Sequence, residues 1–110
     1  MRQGNYDAGD VFRAFLYEKS RLSTEFEYDM IRMHRAFYDA SKQFPTEMKR
    51  YDFLITTNPY SPTLEKMLTL SQLSGLIILQ PNNKITIVAD ELRRPARDMQ
   101  RIGRHLSDML

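Results

Sequence analysis

The sequence predicts an α+β domain, with helices laid over a small antiparallel sheet in the order helix, helix, strand, helix, strand, strand, helix. Three observations predict it. Residues 61–75 spell a helix with its own start and stop signals. Residues 76–89 carry two apolar strands around a Pro-Asn-Asn turn. The chain has 110 residues, enough for one hydrophobic core and ordinarily no more, so residues 1–110 are read as a single domain.

Residues 1–9 are polar with two glycines and are expected to be flexible. Asp10 is expected to cap a first helix over about 10–20, with Val11, Phe12, Phe15 and Leu16 facing inward. Thr24 and Glu27 have the spacing of a capping box and open a second helix. Phe26, Met30, Met33, Phe37, Ala40 and Phe44 follow in steps of four and three, with Ile31 widening the stripe, and Pro45 ends it. Tyr51–Thr57 is rich in aromatic and β-branched residues and reads as a short strand.

In the third helix Ser61 is the N-cap, Pro62 takes the first helical position, and Gly75 suits the left-handed residue past the end. Leu64, Met67, Leu68 and Leu73 are expected inside, with Thr63, Glu65, Lys66, Thr69 and Gln72 mostly outside. The hairpin pairs Leu76–Gln80 with Lys84–Ala89, since Asn tolerates positive φ at the turn. A last helix starts near Asp90 or Pro95 and occupies 91–110, with Leu92, Ala96, Met99, Ile102 and Leu106 on its apolar side and five arginines around the rest.

Composition excludes several function classes. The chain has no Cys and two His, which leaves no disulfide, no thiolate metal site and no histidine cage. No cofactor is expected. His34 and His105 lack a nucleophile to activate, and the four glycines form no phosphate-cradling loop, so no enzyme is expected either. No apolar run approaches the roughly 20 residues that span a bilayer. The opening residues lack the apolar stretch of a signal peptide, and the expectation is a cytoplasmic protein of a prokaryote or phage. The net charge is +2, and residues 1–55 balance at 9 basic against 9 acidic, while residues 92–110 hold five Arg against two Asp.

Residues 51–89 resemble a group of small winged helix-turn-helix proteins, similar to the Panacea-domain antitoxins and related phage or mobile-element proteins. The resemblance is carried by Tyr51 and Phe53, by Pro59-Tyr60-Ser61-Pro62, by Leu64, Leu68 and Leu73, and by Gly75-Leu76-Ile77. It covers about a third of the chain, and it has Asn58 where the group usually has Gly. It implies a winged-helix fold and a regulator. One departure stands out. An ordinary winged helix has its first strand between helices one and two, and here the first legible strand lies just before the third helix.

The resulting expectation is a DNA-binding transcriptional regulator. Thr63, Lys66, Thr69 and Gln72 of the third helix and Asn83 and Lys84 at the wing are its candidate contacts, supported by Arg93, Arg94, Arg97, Arg101 and Arg104 through phosphates. The alternative is a non-enzymatic protein-interaction module, such as an antitoxin, phage adaptor or defence-operon component. Leu92, Met99, Ile102, Leu106 and Leu110 suggest a homodimer through the terminal helix, with burial in the chain's own core as the competing account.

Overall fold

The first helix, α1 (Ala8–Ser20), buries most of its surface, leaving Asp10, Arg13 and Tyr17 on its outer side, and much of the chain packs around it. The computed structural model describes residues 7–110. After α1 come β1 (Glu25–Glu27), α2 (Met30–Gln43), β2 (Leu54–Ile55), β3 (Pro59–Tyr60), α3 (Pro62–Leu73), β4 (Ile77–Leu79), β5 (Lys84–Ile87) and α4 (Arg97–Met109), with a 3-10 turn at Ala89–Glu91. The architecture is α+β, with an antiparallel sheet ordered β1-β5-β4 and a separate β2–β3 ribbon.

Helix α1 starts earlier than Asp10. Asp7 is the N-cap: its carboxylate accepts from the Asp10 amide (2.9 Å), and the Asp10 carboxylate accepts from the Asp7 amide (3.4 Å). This is a reciprocal capping box. The flexibility expected for 1–9 therefore fails at Ala8 and Gly9, and residues 1–6 lie outside the described residues.

The largest correction concerns residues 24–29. They do not open a helix. Glu25-Phe26-Glu27 alternates with the period of a strand and pairs with Thr86-Ile85-Lys84 of β5. The ladder extends at both ends, from the Ile87 amide to the Thr24 carbonyl and from the Tyr28 amide to the Asn83 carbonyl (each 2.7 Å). Phe26 turns onto Phe15, with ring centroids 5.9 Å apart. An open edge on β5 and a waiting aromatic ring outweigh the local capping pattern. Helix α2 starts later, capped by Asp29, whose carboxylate accepts from the Arg32 amide (3.1 Å). Its inner stripe is Met33, Phe37 and Ala40, while Met30 and Ile31 are exposed.

The strand expected over 51–57 shrinks to Leu54–Ile55, paired with Pro59–Tyr60. Tyr51 is a core residue instead, its hydroxyl donating to the Ala8 carbonyl (2.6 Å), and burial pushes its ionisation well above the usual range.

Helix α3 opens as the sequence indicates. Ser61 caps it by accepting from the Leu64 amide (3.2 Å), Pro62 follows, and Gly75 has φ 82°. Leu64 and Leu68 are buried, but Leu73 is 79% exposed. Leu73 lies about two and a half turns beyond Leu64 and so points the opposite way. The hairpin turn also holds, with Asn83 at φ 62°.

Helix α4 begins only at Arg97, after Leu92 has packed on the core in extended backbone. Met99, Ile102 and Leu106 are buried inside the chain, and Leu92 and Leu110 are half-buried against the same core. Helix α4 packs chiefly on α1, where a Cβ at Gly103 would collide with the Ala14 carbonyl and lie 3.1 Å from the Ala14 Cβ. The stripe read as a dimer surface is thus taken up by the chain's own interior.

This close approach is testable. Gly103→Ala gains helix propensity worth about 1 kcal/mol but forces the two backbones apart at roughly 1–3 kcal/mol. Gly103→Val adds bulk without that gain and is expected to lower the melting temperature by several degrees in a circular-dichroism melt. An unchanged midpoint for Gly103→Val would contradict the packing.

Candidate functional site

The face that could recognise a partner is built by α3 and the β4–β5 hairpin, and its placement depends on one imidazole. His34 projects from α2 and is 1% exposed. Its Nδ1 accepts from the Ser61 amide (2.9 Å), and its Nε2 lies 2.7 Å from Glu65 Oε2. An Nδ1 that accepts carries no proton, so the ring proton sits on Nε2 and is donated to Glu65. Tyr60 stacks on the ring with centroids 4.8 Å apart and planes 8° from parallel. Ser61 is the N-cap of α3 and Glu65 lies one turn further on. A single side chain of α2 therefore fixes both the start and the first turn of α3.

Glu65 has a second partner. The Tyr28 hydroxyl, at the end of the β1 ladder, donates to the same Oε2 (3.4 Å). The Tyr28 phenol is pushed up to about 12, first by burial and then by the neighbouring carboxylate, which disfavours a second negative charge. Through these contacts His34, Tyr60, Ser61, Glu65 and Tyr28 join α2, α3 and the end of β1. Sequence reading passed over the cluster, because His34 and Glu65 are far apart in the chain and no spacing rule links them.

The cluster has no catalytic arrangement. Both imidazole nitrogens are committed to structural partners, and the Ser61 hydroxyl is spent on the cap. Among the described residues no group of three or more His, Cys, Asp or Glu is placed to hold a metal ion.

The candidate DNA contacts fall into two sets. On α3, Lys66, Thr69 and Gln72 are exposed and Thr63 is half-buried. The Thr69 hydroxyl is turned back to the Glu65 carbonyl (3.1 Å). Thr69 and Gln72 share a groove with Tyr28, Leu79 and Ile85 of the sheet side. At the wing, Asn83 is exposed, and Lys84 Nζ lies 3.8 Å from the Glu25 carboxylate. Leu73 and Leu70, the latter 47% exposed, lie further round α3, where Leu70 and Lys66 border a groove against the start of α1.

The arginines form the second set. Arg93 and Arg94 are exposed in the connector, and Arg97, Arg101 and Arg104 are exposed on α4. Two of these also serve the fold: Arg101 lies 5.8 Å from the Phe44 ring centroid, and Arg104 Nε is 3.7 Å from the buried Glu18. Helix α4 packs on α1 and α2, whereas α3 packs on α1 and β4. The α4 cations thus sit on a different helix from the α3 face, and both helices pack on α1.

Two measurements check the cluster. His34→Phe keeps the ring but strands the buried Ser61 amide, and should cost about 1–3 kcal/mol in denaturant unfolding. A cost near zero would mean that the imidazole does not hold α3. Tyr28 in the folded chain should titrate near 12 rather than 10.0 in an ultraviolet pH titration read against Tyr28→Phe. Because its folded value is raised, its contribution to stability is complete below pH 10 and disappears as pH climbs through about 12. Glu65→Gln should move the Tyr28 midpoint part of the way down, since burial is the larger cause.

No known family model, no curated protein and no solved structure matches this chain, so the functional reading rests on its own residues and geometry.

Proposed function

We propose that this chain is a non-enzymatic protein-interaction module on a winged-helix scaffold, presenting α3 as its contact helix. The scaffold reading is supported by topology. A strand between the first two helices pairs with the second strand of a hairpin that follows the third long helix, in sheet order β1-β5-β4. That order supports the winged-helix reading, which expects a strand between the first two helices. The β2–β3 ribbon is then an insertion between α2 and α3, replacing the tight turn of a simple helix-turn-helix.

The observation that carries the choice of partner is the exposed side of α3. Leu70 and Leu73 lie there one turn apart beside Lys66. Exposed leucines on a helix suit an apolar protein surface and gain nothing from a phosphate backbone. The face has little net charge to offer DNA, since Glu25 lies within ion-pair distance of Lys84.

A DNA-binding regulator is the second reading, favoured by the exposed Arg93, Arg94 and Arg97 at the start of α4. Contact through these would be to phosphates, with little sequence choice.

Fluorescence anisotropy against random duplex DNA separates the two. The interaction module should bind no more tightly than about 100 µM even at low salt, the weak end of non-specific binding. Tighter binding that falls steeply with salt and disappears in an Arg93→Ala, Arg94→Ala, Arg97→Ala triple variant would establish the DNA reading instead. A photo-crosslinking amino acid placed at Leu73 should trap a protein partner in cells, and one at Arg97 should not. Leu73→Ala should leave the melting temperature nearly unchanged, because that side chain is 79% exposed and alanine keeps the helix propensity.

A further inference from the structure

The two edges of the β1-β5-β4 sheet are built differently. The outer edge of β1 carries Glu25 and Glu27, both exposed. Two copies of that edge would bring like charges together, a common guard against edge pairing. The outer edge of β4 is Ile77-Ile78-Leu79, with no charge, no proline and no bulge, and Ile78 and Leu79 are 51% and 43% exposed.

The backbone register shows what fits this edge. The Gln80 amide donates to the Lys84 carbonyl (2.6 Å) and the Val88 amide to the Leu76 carbonyl (2.8 Å). In an antiparallel ladder the bonded pairs alternate, so Ile78, opposite Thr86, also directs its N–H and C=O to β5. Ile77 and Leu79 therefore direct theirs outward, and among the described residues no strand pairs with that side.

We infer that β4 is a homodimerisation edge, pairing antiparallel with β4 of a second copy of this chain about a two-fold axis through Ile78. With Ile78 opposite its own copy, Ile77 of one chain faces Leu79 of the other. These are the residues whose backbone groups point outward, so each N–H meets a C=O. The segment is complementary to itself in hydrogen bonding, in apolar character and in lacking charge. The two three-stranded sheets become one continuous sheet. The axis stands perpendicular to that sheet, which puts both α3 helices on the same side. The inference is independent of what α3 binds, and it moves the expected dimer from the terminal helix to the sheet edge.

The chain has no Cys, so a single introduced thiol reads the geometry directly. A non-hydrogen-bonded antiparallel pair holds its Cα atoms about 4.5 Å apart, within disulfide range. Ile78→Cys should oxidise to a covalent dimer much faster than Ile55→Cys, a control of similar exposure on β2. Light scattering of the unmodified chain should rise from 13.0 kDa toward twice that mass as concentration increases into the millimolar range. Ile78→Lys should abolish the rise while keeping the folded circular-dichroism spectrum. A monomer at all concentrations with equal oxidation of the two thiols overturns the proposal. So does a dimer that survives Ile78→Lys and crosslinks no faster through Ile78→Cys.

Discussion

Everything in this fold leans on α1. Val11, Phe12, Ala14, Phe15 and Leu16 are all buried, and even Glu18 is 5% exposed. Only a narrow stripe through Asp10, Arg13 and Tyr17 reaches solvent, so the rest of the helix has to be covered by its neighbours. Helix α4 closes one side at Gly103, Phe37 of α2 meets Phe12 and Phe15, and Phe26 of β1 meets Phe15 edge-on. Burying each such ring contributes about 1.5–3 kcal/mol. Three helices and a strand are thereby held to one axis, and the stripe on α4 that could have joined two chains is consumed in wrapping it.

Where the signals were local, the sequence was readable. Ser61, Pro62 and Gly75 punctuate α3 through their own backbone chemistry, and Asn83 sets the hairpin turn. The sequence misled wherever a distant partner decided the outcome. Thr24 and Glu27 imitate a helix start, yet β5 claims the segment as a strand. Leu73 was assigned inward by composition, although strict helical periodicity turns it out. The cluster of His34, Glu65 and Tyr28 was invisible, because a contact between residues 31 positions apart leaves no pattern along the chain. The arginines are exposed, as the sequence indicates, but only packing shows that Arg101 and Arg104 also meet Phe44 and Glu18.

The functional picture turns on separation of tasks. The proposed β4 edge offers backbone hydrogen bonds and α3 offers side chains, and the two meet at the groove where Thr69 and Gln72 lie beside Leu79. A helix used for recognition must hold its angle. Here α3 is not steadied by a tight turn after α2, since the β2–β3 ribbon intervenes. The imidazole takes over that duty, spanning the gap that the inserted ribbon opens.

That arrangement makes the ring a gauge as well as a strut. One nitrogen of His34 touches the first residue of α3 and the other touches its next turn, with Tyr60 lying flat over both. A shift of α3 against α2 has to strain one or both of these bonds. The nitrogen resonances of this single residue thus report movement of α3 from inside the protein.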